Sequence, residues 1–349
     1  MGLFDDVLGG TLVKNEAALD FEFVPKLLPF RESQQHYVAT VIKPLLAGHS
    51  GRNLLVHGSP GIGKTAAIKW VLRDLEEKTD EVEVIFINCW HHNSTYKVLL
   101  EIADQLGYKF TQNKKTVDLY KVIETLVNKT SAVFVFDEID KVDDLDFLYF
   151  VLEKIYKKAI ILITNFKSFL VDLDERIKSR LLPDLLEFKP YSESETKQII
   201  AERVKIAFFD GVFAPDVFMP IARKAFLLKD IRTGLFLLRE SSLLAEEASR
   251  KLVTSEDVST AMKKLDDFTV KNSSDLEADE KLVLTLVKDH SGKKIGDLFR
   301  LYQSQGGVSS YKTFQRRIKA LAEGGFVSAS KQSGKGGNTT IIERKLTEY

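Results

Sequence analysis

Glycines, a lysine and a threonine occur at a fixed spacing in the segment "GSPGIGKT", residues 58–65. The spacing matches G-x-x-x-x-G-K-[ST], in which the backbone N–H groups of a glycine-rich turn surround phosphate groups. The lysine can reach the β- and γ-phosphates, and the threonine hydroxyl can bind Mg²⁺. A glycine-rich turn without a ligand is the alternative. The pattern predicts a nucleotide site made by Gly58, Ser59, Pro60, Gly61, Ile62, Gly63, Lys64, Thr65 and Ala66.

Two acidic residues end a later apolar run, "VFVFDE", residues 133–138. At the end of a strand beside the glycine-rich turn, Asp137 would lie near the metal bound by Thr65. Glu138 would orient or deprotonate a water molecule. The two segments together predict a nucleotide-hydrolysing site, with Mg²⁺ held by Thr65 and Asp137.

Four polar residues extend this candidate site. Asn165 ends a third apolar run and could hold the attacking water or sense the γ-phosphate; Arg232, in a helical region, could move onto the γ-phosphate. A turn asparagine and an ordinary surface arginine are the alternatives. Arg176 and Arg180 are spaced i,i+4, so both can project from one helix face. One of them could act on the nucleotide of a neighbouring subunit, and a solvated helix face is the alternative.

Alternating strands and helices must position these residues. The compact apolar runs "NLLVHG", "VEVIFINC", "SAVFVFDE" and "AIILITN" are separated by amphipathic stretches such as "TYKVLLEIADQLG". This alternation predicts a parallel sheet covered by helices. From residue 192 to 265 the pattern is helical only, and the polar stretch 266–280 reads as a linker.

The C-terminal part of the chain is basic. Residues 291–345 contain 11 Lys or Arg and 3 Asp or Glu, although the whole chain has a formal net charge of zero. The segments at 277–290, 293–306 and 309–325 read as three helices, and two strands follow, which is the order of a winged helix. On the third helix the 3.6-residue period places Phe314, Ile318 and Leu321 on one face. The opposite face carries Ser309, Lys312, Arg316 and Lys319.

The segment "SGKGGNTT", residues 333–340, also contains glycines, a lysine and threonines. It joins two strands and no helix follows it, so it lacks the helix N-terminus that a nucleotide loop requires. We therefore interpret it as the tip of a wing, with Lys335 contacting nucleic acid. A winged helix that contacts only proteins is the alternative.

Composition bounds the class of protein. The chain has 349 residues, of which 44% are hydrophobic and 29% charged, so it can bury a large core. A single cysteine excludes an intrachain disulfide, and no run reaches the roughly 18 apolar residues of a membrane helix. A cytoplasmic protein without membrane contact is expected. Cys89, His91 and His92 are not expected to form a metal site, because no second ligand cluster accompanies them.

The order of these motifs, with a helical region behind them, resembles an AAA+ ATPase. The segments "FVPKLLPFRESQ", "INCWHHNSTYKVLLEIADQLG", "LVDLDERIKSRLLPDLLEFKPYSESE" and "IRTGLFLLRESSLLAEEA" narrow this resemblance. Together with the basic C-terminal unit, they are similar to the archaeal origin-recognition and cell-division-control (ORC/CDC) initiators. The resemblance covers nearly the whole chain.

This resemblance implies an α/β fold: an AAA+ P-loop parallel sheet with a helical lid, followed by a winged-helix domain. The implied domains are residues 1–190 for the ATPase, 191–268 for the lid, and 269–349 for the linker and winged helix. In that family the region matching "VPKLLPFRE" contacts adenine, which makes Val24, Pro25 and Arg31 candidates for the base site.

The resemblance also implies a function and its partners. It implies a replication initiator that binds double-stranded origin DNA, helps recruit the MCM replicative helicase and hydrolyses ATP slowly as a switch. Self-association or assembly with a paralogue, and association with the nucleoid in the cytoplasm, would follow.

One segment departs from the family pattern. Members usually carry a longer DNA-contacting helical insertion between the acidic strand end and Asn165, whereas only "IDKVDDLDFLYFVLEKIYKK" intervenes here. A divergent paralogue is therefore one alternative. Others are a DNA-binding regulator that holds ADP with little turnover, and a clamp-loader-like or defence ATPase.

Overall fold

The computed structural model describes residues 11–26, 28–274, 278–323, 327–334 and 337–344. The chain divides into two compact units, Met1–Val258 and Ser259–Tyr349.

A parallel five-stranded sheet forms the centre of the first unit. Its strands follow the order β2-β3-β4-β1-β5. They are β1 (Asn53–His57), β2 (Val82–Asn88), β3 (Ser131–Asp137), β4 (Lys158–Thr164) and β5 (Asp184–Glu187). The first four coincide with the apolar runs, which confirms the predicted parallel sheet. The sequence did not predict β5, an edge strand whose burial alternates instead of being continuous.

Helices cover both faces of the sheet. On one face lie α1 (Glu32–Ile42) and α2 (Lys64–Glu76), and Val133 and Val135 pack in their cluster. On the other face Phe134 and Phe136 pack with α3 (Thr95–Gln105), α4 (Thr116–Val127), α5 (Asp146–Lys154) and α6 (Glu175–Leu181). Because alternate residues of β3 enter different cores, the five residues from Ala132 to Phe136 are all apolar.

Four helices follow the sheet. They are α7 (Glu193–Ala207), α8 (Pro215–Leu228), α9 (Ile231–Glu247) and α10 (Ser255–Ser274). Ser192 begins α7 with a capping box, in which its hydroxyl accepts from Glu195 N and its own N–H donates to Glu195. The predicted linker was wrong at its start, because residues 266–274 form the last turns of α10. These residues lack glycine and proline, so nothing in them ends a helix.

The second unit has the element order of a winged helix. It contains α11 (Ala278–Asp289), β6 (Lys293–Lys294), α12 (Ile295–Ser304), α13 (Tyr311–Glu323), β7 (Val327–Gly334) and β8 (Gly337–Arg344). The strands form an antiparallel sheet in the order β6-β8-β7. The core includes Phe314, Ile318 and Leu321, as the helical period predicted, and also Tyr302 of α12. The sequence missed only the two-residue strand β6.

The segment "SGKGGNTT" connects β7 to β8. Ser333 pairs with Asn338 and Gly334 with Gly337, so the described residues of the segment belong to two paired antiparallel strands. Its lysine, Lys335, lies outside the described residues. In the described part of the chain, no helix combines the length and apolarity that a membrane span requires.

Candidate functional site

A cleft with a volume of about 1300 Å³ opens at the carboxyl ends of the parallel strands. The glycine-rich turn, the ends of β3 and β4, and the start of α9 all contribute to its walls. Of the predicted site residues it is lined by Val24, Pro25, Pro60, Gly61, Gly63, Lys64, Thr65, Ala66, Asp137, Glu138, Asn165 and Arg232. The structure thus brings together residues separated by more than 200 positions in the sequence.

The glycine-rich turn has a backbone that only glycine adopts easily. Gly61 and Gly63 have φ angles of 70° and 85°, in the left-handed region. A Cβ atom at Gly61 would also collide with the carboxylate of Asp230, the residue that precedes α9. Ile231 N donates to Gly61 O at 3.1 Å, so this turn and the start of α9 are in direct contact.

Lys64 begins α2 and points back over the turn. Its Nζ donates to Gly58 O, Ser59 O and Asn165 Oδ1, each at 2.8 Å. Burial lowers the pKa of the Lys64 ammonium to about 8, against the opposing charge of Asp137. A buried cation at the N-terminus of a helix is suited to binding phosphate.

Asp137 and Glu138 end β3 beside α2. The Thr65 hydroxyl donates to Asp137 Oδ2 at 2.8 Å, and Glu138 N donates to Asp137 Oδ1 at 3.0 Å. Burial raises the pKa of Asp137, and the bond from Thr65 opposes that rise. Glu138 has a φ of 53°, a strained left-handed conformation for a non-glycine residue. Strain of this kind concentrates at functional positions, and here it turns the chain immediately after the strand.

The Thr65 and Asp137 pair fits a magnesium ion. Both side chains present oxygen atoms, which are the ligands that Mg²⁺ prefers. The described residues contain no group of three or more His, Cys, Asp or Glu side chains that could hold a metal, so this pair would have to complete its ligands with water and phosphate oxygens. Cys89 is buried, and burial raises the pKa of its thiol to about 12.

Asn165 and Arg232 reach the cleft from different elements. Asn165 follows β4 and its amide oxygen accepts from Lys64 Nζ. Arg232 lies in the first turn of α9, and its Nη2 donates to Asp230 Oδ2 at 2.7 Å. That partner raises the pKa of Arg232. Arg232 is thus a paired cation beside the phosphate-binding turn.

Arg31 lies in a different place from the other predicted base-site residues. It is 4% exposed and does not line the cleft. Its Nη2 donates to Ile62 O at 2.9 Å and Lys189 O at 2.8 Å, and its guanidinium lies 3.8 Å from the Tyr191 ring centroid. Arg31 therefore supports the glycine-rich turn from outside the cleft. Gly58, Ser59 and Ile62 are also absent from the lining.

Residues 18–25 form a strap along the cleft. Arg203 of α7 donates from Nη1 to Ala18 O at 3.0 Å and from Nη2 to Phe23 O at 3.1 Å. The guanidinium of Arg203 also lies 5.0 Å from the centroid of the Phe23 ring. One buried arginine thus fixes the backbone at both ends of the six-residue stretch from Ala18 to Phe23.

A second arginine holds the end of the strap. Arg73 of α2 donates to Val24 O and Pro25 O, both at 3.4 Å. Val24 and Pro25 line the cleft, so the two arginines hold this wall from α7 and from α2. Sequence reasoning missed both. Arg73 lies eight residues after Thr65 in α2, and residues at this spacing share one face of a helix, so the helical period could have identified it. Nothing in the sequence distinguishes Arg203.

Arg176 and Arg180 lie on α6, away from the cleft lining. Both are exposed. Arg176 is held by Asp174, with Nε donating to Oδ1 at 3.0 Å. Arg180 donates to the backbone oxygen of Arg176 at 3.1 Å and lies 5.0 Å from the Tyr149 ring centroid.

The second unit presents a basic helix face. Lys312, Arg316 and Lys319 of α13 are exposed, while Phe314 and Ile318 are buried. Ser309, which was predicted to share this face, instead precedes α13 and donates from Oγ to Asp279 Oδ2 at 2.9 Å. Its hydroxyl is part of an internal hydrogen-bond network.

Comparison with protein families gives two matches. A model described as an AAA domain matches residues 47–165, and one described as a Cdc6 AAA+ ATPase-type lid domain matches residues 197–263. The first match includes the glycine-rich turn and Asp137, and the second covers most of α7 to α10.

Individual relatives extend over nearly the full chain. The chain is 31% identical to the ORC1-type DNA replication protein 1 of Archaeoglobus fulgidus, over 92% of this chain and 84% of the relative. It is 32% identical to the ORC1-type DNA replication protein 1 of Sulfurisphaera tokodaii, over 91% and 86%. The structure of the Aeropyrum pernix ORC1 protein in complex with DNA matches with a TM-score of 0.70 and 26% identity, covering 96% of this chain and 94% of that one.

Proposed function

The chain belongs to the archaeal ORC1-type/Cdc6 family of DNA replication proteins, and on that premise we propose that it is an ATP-dependent initiator that binds origin duplex DNA. The observation that carries the proposal is that one chain combines a cleft at the glycine-rich turn with a second unit whose helix α13 has an exposed basic face. The DNA complex of the Aeropyrum relative supports DNA as a ligand, and the exposed basic residues of α13 support the second unit as the part that binds it.

ATP would bind with its phosphates at the glycine-rich turn. Lys64 supplies positive charge at the β- and γ-phosphates, and the backbone N–H groups at the start of α2 add the potential of a helix N-terminus. Mg²⁺, held by Thr65 and Asp137, would neutralise phosphate charge. The strap places Val24 and Pro25 along the adenine.

Hydrolysis requires a base, a sensor and further cations. Glu138 removes a proton from the attacking water, and Asn165 orients that water. Arg232 exchanges its bond to Asp230 for the γ-phosphate. Arg180, or failing that Arg176, acts on the nucleotide of a neighbouring subunit. Slow turnover then switches the assembly state, and the ATP-bound form recruits the MCM replicative helicase at the origin, in the nucleoid.

DNA titrations of charge-matched variants test the DNA contact. Replacing Lys312, Arg316 and Lys319 together by alanine should reduce the slope of log affinity against log salt by about 2 to 3 units, because each phosphate contact contributes about 0.9. Lys43, Lys121 and Lys129 are exposed lysines of the first unit, and their triple alanine variant is the control. Equal slopes for the two triple variants would remove α13 from the DNA contact.

A second candidate is a DNA-bound regulator that keeps ADP. The connection between β3 and β4 favours this regulator. The connection contains only a 3-10 helix (Ile139–Lys141) and α5, and it lacks the longer DNA-contacting helical insertion that family members usually carry. Single-turnover hydrolysis of radiolabelled ATP, with and without duplex DNA, separates the two functions. The initiator predicts hydrolysis that responds to DNA; the regulator predicts retained ADP and no response.

A further inference from the structure

Val308 is a solvent-exposed apolar residue that precedes α13 in the chain. It is 93% exposed, the highest exposed fraction among the large apolar side chains of the described residues. Single exposed apolar residues are common and need no explanation by themselves. Val308 differs from such residues because hydrogen bonds hold the turn that carries it and basic residues of α13 follow it.

The turn that carries Val308 is held on both sides. Gly307 N donates to Tyr302 O at 2.9 Å, and Ser309 N donates to the Tyr302 hydroxyl oxygen at 3.3 Å. A Cβ atom at Gly307 would collide with the Tyr302 ring, so the backbone there packs directly on the core. The backbone on both sides of Val308 is therefore held in place, and this keeps its side chain in the solvent.

Asp279 connects this turn to α13. It accepts from the Tyr302 hydroxyl at 2.7 Å, from Ser309 Oγ at 2.9 Å and from Arg317 Nη1. These bonds join α11, α12, the turn and α13 in one network. The position of Val308 relative to α13 is fixed by the same carboxylate.

Val308 lies next to the N-terminal end of α13. Ser310 precedes α13 and its Oγ accepts from Thr313 N at 3.3 Å, so Val308 lies two residues before this cap. Lys312 and Arg316, on the following turns, are exposed and basic. In helix-turn-helix units the N-terminal residues of the recognition helix approach the base edges.

An apolar side chain beside basic residues matches one feature of DNA. In the major groove the only apolar group on a base edge is the 5-methyl group of thymine. Adjacent Lys312 and Arg316 favour a polyanion over an apolar protein surface. Building on the proposed DNA binding, we propose that Val308 is a specificity-determining residue that contacts a thymine 5-methyl group in the major groove.

Deoxyuridine substitution tests this contact, because uracil lacks only that methyl group. The full-length wild-type chain first selects its tightest duplex from a randomised library, and each thymine of that duplex is then replaced in turn. We expect at least one replacement to weaken wild-type binding about three- to fivefold, the value of one buried methyl group. Val308→Ala should bind the thymine and uracil duplexes equally at that position.

One control variant and the selection step separate the possible failures. Val117→Ala removes an exposed valine of the first unit and should keep the wild-type sensitivity to uracil. If no replacement weakens binding, or if Val308→Ala retains the same sensitivity, the contact with thymine is wrong while DNA binding stands. If the wild-type chain selects no duplex, the proposed DNA function fails, and this contact fails with it.

Discussion

Lys64 places an ammonium group at the glycine-rich turn of the cleft, and burial disfavours its charged form. Its pKa is lowered to about 8. A phosphate beside the ammonium favours the charged form, so the pKa should rise toward its ordinary value of about 10.4 on nucleotide binding. Above pH 8 the complex then holds more protons than the free protein, and affinity for ATP should fall as pH rises.

Calorimetry at about pH 9 in two buffers of different ionisation enthalpy measures this proton uptake. We expect uptake approaching one proton per ATP bound. Lys64→Arg is the control, because arginine stays protonated at this pH and should show little uptake. Equal uptake by the two proteins would assign the proton to another group.

Substitution of Lys64 should impair ATP binding, whereas substitution of Glu138 should impair only hydrolysis. Lys64→Ala removes phosphate charge, so ATP affinity should fall roughly ten- to a hundredfold. Glu138→Gln removes only the activation of water, so ATP should still bind while hydrolysis falls by about 10²- to 10⁴-fold. Filter binding with radiolabelled ATP measures both. Binding by the Glu138 variant that is no better than that of the Lys64 variant would contradict the assigned roles.

The sequence predicted the cleft residues unevenly, and the reason is the kind of contact each makes. Lys64, Thr65 and Asp137 were found because phosphate and metal binding require particular residue types at fixed spacing. Arg203 bonds to backbone oxygens of a segment about 180 positions away, which leaves no motif. Arg31 belongs to a matching segment, yet its guanidinium lies outside the cleft lining, under the glycine-rich turn.

The strap of residues 18–25 should govern recognition of the base rather than of the phosphates. Arg203→Ala leaves two carbonyl groups without their donor, at a cost of about 1–3 kcal/mol in stability. Affinity for ATP should fall, whereas affinity for inorganic tripolyphosphate should stay. Lys64→Ala should lower both. Competition titrations with the two ligands measure the difference.

Arg239→Ala is the matched control for the strap. Arg239 pairs with Glu16 at 3.2 Å on the same N-terminal segment, but both side chains are exposed, so little stability depends on them. Parallel losses of ATP and tripolyphosphate affinity in Arg203→Ala would show that the strap does not act on the base.

The exposed arginines of α6 should act between subunits. An arginine on the transition-state charge is worth roughly 10³- to 10⁵-fold in rate. Arg180→Ala alone should hydrolyse ATP poorly, and adding the Lys64→Ala chain, which keeps its arginine, should restore hydrolysis. Arg176→Ala is the internal comparison, since Asp174 already holds that side chain. No restoration in either mixture, with wild-type turnover independent of protein concentration, would exclude a shared site.

The helices and strands themselves were predicted where burial is continuous or strongly periodic. The first four strands and α13 follow directly from their apolar patterns. The edge strand β5 alternates and is short, so its sequence resembles a loop. The end of α10 contains no apolar stripe long enough to distinguish a helix from a polar linker.

The cleft lies in the first unit and α13 in the second, so the proposed DNA contact can be tested separately from ATP hydrolysis. The family relationship supports origin DNA as the ligand, and the residues that would carry the contact are Lys312, Arg316 and Lys319. Chromatin immunoprecipitation of the wild-type chain, with marker-frequency sequencing of the same culture, tests this most directly. We predict bound sites at the marker-frequency maxima, and loss of these sites in the triple alanine variant. Sites concentrated at promoters away from the maxima, or sites kept by the variant, would contradict the account.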